Sequence, residues 1–436
     1  MESRPRGTHV RFQTICVLGL GYIGLPTASI FASNGLKVTG VDVNDRIVAG
    51  LRQGKPHIEE PGLLSLVQAA LASGNLSIGS QPVPADAFLI AVPTPVLENK
   101  RADMRAVIAA AESILPHLRR GNLVVLESTS PPRTTVDLVA PILERSGLHA
   151  GADFFLAYSP ERVLPGQILR ELVENARVIG GCDRASAEAG RDLYATFVRG
   201  EIVLTDATTA EMVKLMENTY RDISIAAANE FARLADHFGV DVWEAIALAN
   251  LHPRIDILRP GPGVGGHCIS VDPWFLVESA PEVTPLIRQA RLVNDSQPAF
   301  AAGLIERALG GLRGRTIAAL GLAYKPEVDD LRESPAIEVA RMLAAGGARV
   351  TTFEPFAVGT GVPGCMAAPS LEAALRDAEA VVLLVDHRAF VALDPAQVAA
   401  GMPGRVAVDT RGRWDRERWQ AAGFHLHVLG AGARNG

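Results

Sequence analysis

Cysteine is scarce in this chain. Four residues, Cys16, Cys182, Cys268 and Cys365, are spread over 436 positions, with no Cys-x-x-Cys pair. That spacing indicates neither a disulfide framework nor a structural zinc site, and it suits thiols kept reduced in a cytosol. Long apolar runs are missing too: none reaches the roughly 18 residues of a membrane span. The polar stretch Met1–His9 lacks the apolar centre of a secretory leader, so a cytoplasmic location is expected. Nor does one sign of charge dominate. A net charge of −6 argues against bulk nucleic-acid binding.

What is present is ordinary for a globular protein with ample core: 48% hydrophobic and 21% charged residues. The length suits roughly two to three domains. Short apolar runs at Thr14–Leu18, Lys37–Val43, Ala87–Ala91, Leu123–Leu126, Phe154–Tyr158 and Arg177–Gly180 read as strands. Helical patterns such as Leu25–Ser33 and Leu63–Ala72 lie between them, which predicts a parallel sheet covered on both faces. From Thr208 to Phe238 the pattern becomes one long helix of about 45 Å at 1.5 Å per residue. Thr208 with Glu211 has the form of a capping box, and Gly239 supplies the stop. A shorter helix, Val242–Ala249, follows. A second α/β region begins near Arg315, with strands expected at Thr316–Leu320, Arg349–Phe353, Ala380–Val385 and Val406–Asp409 and a helix at Pro335–Ala345.

Gly19-Leu-Gly21-Tyr-Ile-Gly24 follows the first strand and opens a helix. That context makes it a dinucleotide-binding turn. Gly19 allows the tight bend, Gly21 admits a pyrophosphate, and Gly24 packs helix on strand. The helix N-terminus then offers N–H groups to phosphate. Asp42 ends the next strand, where a carboxylate bonds a ribose 2′-hydroxyl and repels a 2′-phosphate, which favours NAD; Arg46 nearby weakens that preference. Thr94-Pro95, after the strand Ala87–Ala91, lies where such a fold passes its cofactor. The expected architecture is a Rossmann domain over residues 1–205, a central helical, dimerising domain over 206–300, and a C-terminal Rossmann-like domain over 301–436.

The segment Gly261–Trp274 holds four glycines, two prolines, Cys268 and Asp272. Such a run makes a loop that lets backbone come close to something. A thiol presented beside nicotinamide can trap an aldehyde for a second oxidation. A lone cysteine is more often an inert small hydrophobe, as Cys16 reads here. Glu161 follows a strand of the first sheet, and strand carboxyl ends are where open α/β sheets bind ligands. Lys214 and Asn218 share one face of the long helix, a pattern that equally fits a solvated face. His267 could lower the thiol pKa, but neighbouring side chains on a loop usually diverge. His425 and His427 share a strand face with no further ligands in view, so no metal is expected.

Together the glycine turn, Ala157–Pro165, Ala210–Asn218, the cysteine loop and Gly321-Leu-Ala-Tyr-Lys-Pro326 resemble the UDP-glucose/GDP-mannose dehydrogenase family, the nucleotide-sugar 6-dehydrogenases. The resemblance runs from about Thr14 to about Arg411, with the motifs in the family's order. The wording around Tyr158–Gly166 and His252–Cys268 is similar to the subgroup acting on UDP-N-acetyl-D-mannosamine. The resemblance implies oxidation of a sugar C6 alcohol to a carboxylate with two NAD per turnover. Cys268 would hold the aldehyde as a thiohemiacetal and then a thioester, which water releases. In that scheme Lys214 stabilises the oxyanion, Asn218 assists it, Asp272 and Thr129 hold or activate water, and Glu161 is the general base of hydrolysis. Tyr22, Ile23, Thr94, Thr129 and Arg332 would lie on the cofactor, with the glycine turn, Asp42 and Arg46. Arg162, Val163, Leu164, Lys214, Asn218, Gly265, Tyr324, Lys325 and Arg411 would contact the sugar nucleotide. Arg254 would reach it from a neighbouring subunit of a homodimer joined through the central helices, and the active site would lie between the two Rossmann-like domains. In the UDP-glucose enzymes a second carboxylate stands four residues after the Glu161 position; here that residue is Pro165, a departure shared with the N-acetylmannosamine type. Sibling substrates (UDP-N-acetylglucosamine, UDP-glucose, GDP-mannose), a single-step 3-hydroxyacid dehydrogenase and an inactive NAD-sensing scaffold are the alternatives.

Overall fold

The structure, a computed structural model, describes residues 12–432. The polar stretch Met1–His9 lies outside the described residues. The chain divides into two compact units. The first runs to Glu217 and takes in Trp274–Pro281; the second comprises Asn218–Pro273 and the chain from Glu282 onward.

The first unit is built on an eight-stranded sheet of β1 (Thr14–Leu18), β2 (Lys37–Val41), β3 (Leu76–Gly79), β4 (Ala87–Ile90), β5 (Leu123–Leu126), β6 (Phe155–Tyr158), β7 (Arg177–Gly181) and β8 (Ile202–Asp206), in the order β3-β2-β1-β4-β5-β6-β7-β8. β4 and β5 are buried along their whole length, as apolar runs without alternation require when both faces are covered. Helices Gly24–Ser33 and Leu63–Ala72 form as expected. β3 and β8 escape the sequence reading because each carries exposed or half-exposed residues along a short segment.

One pairing departs from expectation. β7 runs antiparallel to β6, with Tyr158 opposite Gly180. The chain between them holds only the short helix Ile168–Glu174. An antiparallel return needs no crossover, so the chain turns back at the end of the sheet it has just left. The segment bearing Glu161 and Arg162 is thereby kept at the carboxyl end of β6. On the other side of β7, Gly180 lets the end of β8 and the start of the long helix close in: a Cβ there would stand 2.4 Å from Asp206 O and 2.7 Å from the Ala210 Cβ.

The second unit carries a six-stranded, all-parallel sheet of β9 (Thr316–Leu320), β10 (Arg349–Phe353), β11 (Met366–Ala367), β12 (Ala380–Leu383), β13 (Val406–Asp409) and β14 (His425–Val428). Its order, β11-β10-β9-β12-β13-β14, repeats that of the first six strands of the chain.

The long helix spans Ala207–Phe238, 32 residues. The capping box expected of Thr208 and Glu211 is not there. β8 passes directly into the helix, and Asp206 caps it, accepting from the Thr209 N–H at 2.9 Å and the Thr209 hydroxyl at 2.6 Å. The shorter, charged side chain at the true boundary wins the cap. Glu211, on the buried face, serves a different loop. Gly239 does end the helix, at φ +71°.

Candidate active site

The glycine turn leads out of β1. Gly19 adopts φ +91°, donates its N–H to Val41 O at 2.8 Å, and leaves no room for a Cβ, which would stand 2.6 Å from Ala91 O. A Cβ on Gly24 would stand 1.9 Å from Gly19 O, so helix and strand close on each other there. A Cβ on Gly21 would meet nothing within 4 Å. No side chain caps the helix that follows, whose N-cap position is Ile23. Two glycines thus serve packing and one faces open space beside a helix N-terminus, which fits a dinucleotide pyrophosphate. Asp42 accepts from the Leu20 N–H and the Asn44 N–H, each at 2.9 Å. Those bonds fix a carboxylate at the end of β2 with lone pairs to spare for a ribose hydroxyl. Tyr22 and Arg46 are exposed.

The ends of β4 and β5 are tied together close by. Thr94 Oγ1 donates to Thr129 O at 2.6 Å, and Ser128 Oγ to Val92 O at 2.7 Å. Glu211 reaches from the long helix to the next turn of this loop, accepting from the Arg133 N–H at 2.5 Å, the Thr135 N–H at 2.7 Å and the Thr135 hydroxyl at 2.6 Å. Arg133 holds φ +73°, a conformation that a non-glycine residue keeps only when clamped. Burial pushes the Glu211 carboxyl up to about 7. The thiol of Cys16, fully buried, is pushed up to about 11, and burial raises Cys182 and Cys365 as well.

Glu161 accepts from the Arg177 guanidinium at 2.7 Å and from the Arg162 N–H at 2.7 Å. Arg162 turns its guanidinium to Glu217 at 2.7 Å and to Ala176 O. Val163 packs on the core, while Leu164 is exposed. Lys214 is buried on the long helix, one turn before Asn218.

In the second unit Asn218 Nδ2 donates to Asp272 Oδ2 at 2.6 Å. Asp272 is not on the loop, as the sequence suggested, but opens the helix Asp272–Ser279. Its N–H donates to Cys268 O at 2.8 Å, and the Val271 N–H to the same oxygen at 3.0 Å. Cys268 therefore sits on a tight turn against a helix start, half-buried. The loop's glycines admit protein. A Cβ on Gly265 would stand 2.4 Å from Glu333 O, one on Gly266 2.8 Å from the Tyr324 ring, and one on Gly261 2.5 Å from the Arg411 guanidinium. The Gly266 N–H donates to Arg332 O at 3.1 Å, and the Gly261 N–H to the buried Asn229 at 3.0 Å.

These contacts bring Gly265, Tyr324, Arg332 and Arg411 to the cysteine loop. Arg332 forks on Asp330 at 2.9 and 2.6 Å, and Arg411 donates to Asp386 at 3.0 Å. The Lys325 ammonium lies 5.7 Å from the Tyr324 ring centroid. His267 faces Asp330, at 3.8 Å. Arg254 stands exposed on the loop after helix Val242–Ala249. Among the described residues no cluster of three or more His, Cys, Asp or Glu could hold a metal, and no helix is long and apolar enough to cross a membrane.

Sequence reasoning missed Glu127, Arg177, Asn229 and the pair Glu354–His387. A signal existed for two of them: Glu127 directly follows β5 and Arg177 opens a strand that is otherwise apolar.

Comparison with known proteins matches residues 13–198 to the UDP-glucose/GDP-mannose dehydrogenase family, NAD binding domain. Residues 208–296 match that family's central domain, and 318–416 its UDP binding domain. The chain is 46% identical to UDP-N-acetyl-D-mannosamine dehydrogenase of Methanococcus maripaludis, over 96% of this chain and 97% of that one. It is 48% identical to NDP-N-acetyl-D-galactosaminuronic acid dehydrogenase of Ralstonia solanacearum, over 95% of this chain and 100% of that one. Among solved structures it is similar to UDP-D-ManNAc dehydrogenase of Pyrococcus horikoshii, with a TM-score of 0.90 and 41% identity over 96% of this chain and 99% of that one.

Proposed function

Because the chain belongs to the UDP-glucose/GDP-mannose dehydrogenase family and is an NAD-dependent nucleotide-sugar dehydrogenase, we propose that it oxidises the C6 alcohol of UDP-N-acetyl-D-mannosamine to the uronate through a covalent adduct on Cys268. NAD, when bound at the glycine turn, accepts a hydride in each of two oxidations. Overall, one alcohol, two NAD and one water give one carboxylate, two NADH and three protons.

The chain's own part begins with Lys214 and Asn218. They stabilise the oxygen at C6 as it gains negative charge. The Cys268 sulfur adds to the aldehyde carbon and restores a tetrahedral centre with a C–H to give up. The second oxidation leaves a thioester. Glu161 then takes a proton from water as the water oxygen bonds to the carbonyl carbon, and the C–S bond breaks to return the thiolate. The observation that carries this reading is the Asn218–Asp272 hydrogen bond of 2.6 Å. It fastens the helix start that holds Cys268 to the turn of the long helix next to Lys214.

The relatives named for N-acetylmannosamine and for N-acetylgalactosaminuronic acid are comparably similar, at 46% and 48% identity. The test is therefore a panel: NADH released per sugar with UDP-N-acetyl-D-mannosamine, UDP-N-acetyl-D-galactosamine, UDP-N-acetylglucosamine, UDP-glucose and GDP-mannose. Two NADH per molecule of the first, with the others slow, is expected; strict preference for another sugar overturns the substrate. Cys268→Ala should lower acid formation by roughly a thousandfold or more. Full activity in that variant would restore the single-step alternative, and no turnover by the wild type on any sugar would leave a scaffold.

The enzyme is further proposed to be a cytoplasmic homodimer. Tyr220, Ala227 and Leu234 repeat every seven residues along the long helix, Phe231 and Phe238 follow the last two of them by four residues, and all five are exposed. An apolar seam of that period suits a second copy of the same helix.

A further inference from the structure

Glu161 is held from below by a cation that the reaction scheme does not use. Arg177 opens β7 and is only 4% exposed. Its guanidinium donates to Glu161 Oε2 at 2.7 Å and to Ser159 Oγ at 3.0 Å, and it lies 3.8 Å from Glu127 Oε1. It sits over the Tyr194 ring, 4.4 Å from the centroid, and the Tyr194 hydroxyl donates to Glu127 Oε1 at 2.5 Å. The second Glu127 oxygen, Oε2, has no hydrogen-bond partner among the described residues.

Burying an arginine is costly, and apolar packing would stabilise the fold as well or better. A planar fork is the side chain that fixes the orientation of a carboxylate plane. The one carboxylate it meets at hydrogen-bond distance is that of Glu161, at the end of the sheet where ligands bind. With Oε2 on Arg177 and Oε1 on the Arg162 N–H, the plane of the Glu161 carboxylate is set. Each oxygen still has a lone pair to offer.

We propose that Arg177 is a positioning residue for thioester hydrolysis: held by Ser159, Tyr194 and Glu127, it orients the Glu161 carboxylate to take the proton of the attacking water. This rests on the role given to Glu161 above. Loss of the guanidinium spares both oxidations, which need the thiol and Lys214, and slows release of the acid.

The test uses the full-length enzyme, NAD and whichever sugar of the panel it turns over. Rapid-mixing absorbance follows NADH, and intact-protein mass spectrometry follows the sugar adduct on Cys268. In Arg177→Met the first turnover should still release about two NADH per site, steady-state kcat should fall roughly 10- to 100-fold, and the adduct should accumulate. Arg177→Lys should recover part of the rate. Ser159→Ala, which keeps the charge and removes one hold on it, should show the same signature at smaller amplitude; it decides the matter if R177M does not fold. A burst that shrinks in step with kcat, with no adduct, overturns the proposal. Glu161→Gln separates the two claims. Adduct in E161Q but none in R177M sinks Arg177 alone; no adduct in E161Q sinks the base assignment and Arg177 with it.

Discussion

Cys268 and its neighbours stand out in the sequence as candidates because their chemistry is rare where they stand. A cysteine in a run of glycines, a lysine and an asparagine four apart, and a carboxylate after a strand each stand out by type. Their partners were not legible. Arg177 meets Glu161 across 16 positions and Asn218 meets Asp272 across 54, distances at which no periodicity speaks. The loop's glycines were read correctly as permitting a close approach, but what approaches is Tyr324, Glu333 and Arg411. The buried carboxyl of Glu127 gives a prediction at this scale. Burial pushes it up to about 7 from an ordinary 4.5, against the pull of Arg177 and the Tyr194 hydroxyl. The folded protein thus holds this proton more tightly than the unfolded chain. The stabilisation is complete below about pH 4.5 and is lost as pH rises through about 7. Glu127→Gln cannot titrate, so its melting temperature should fall less than that of the wild type between those pH values. Parallel curves would show that Glu127 keeps an ordinary carboxyl.

Elements were legible where their periodicity was long, as in the spine helix and its stop at Gly239. The start of that helix misled because two cap signals stood side by side. Thr208 and Glu211 carry the right letters at the right spacing, but β8 continues to Asp206 and the first turn closes there. The two readings predict different losses. Asp206→Ala should lower stability by about 1 kcal/mol, whereas Thr208→Ala should stay within about 0.5 kcal/mol. Glu211→Ala should exceed both, at roughly 2–3 kcal/mol, because it leaves the N–H groups of Arg133 and Thr135 without their acceptor. Denaturant midpoints for the three variants check the order; equal losses for Thr208 and Asp206 would restore the capping box. The antiparallel β7 was hidden for a related reason: strand direction is set by where the chain returns, and an apolar run carries no arrow.

Across the whole molecule, the repetition of strand order was invisible in residue identities and plain in topology. The exposed seam on the long helix belongs to this scale as well. Leu234→Glu puts a charge on it, and light scattering should report a dimer for the wild type and a monomer for the variant. If Arg254 of a second copy completes the sugar site, as the resemblance implies, KM for the nucleotide sugar should rise more than kcat falls. An unchanged dimer would place the interface elsewhere.

The two sheets also repeat their first turn, and only one copy is open. Gly321 has φ +91°, as Gly19 has, and donates to Phe353 O at 2.9 Å as Gly19 does to Val41 O at 2.8 Å. Glu354 stands where Asp42 stands and accepts from the Leu322 N–H at 2.7 Å. But Glu354 is buried, and His387 closes on it at 3.0 Å. With one open cradle, the proposed reaction has one exit for its electrons. In the proposed reaction the first reduced carrier must depart and a fresh one arrive while the half-oxidised sugar waits. A diffusible aldehyde would escape during that exchange; a tethered one stays, and the sulfur bond is what makes a single cradle sufficient for two withdrawals.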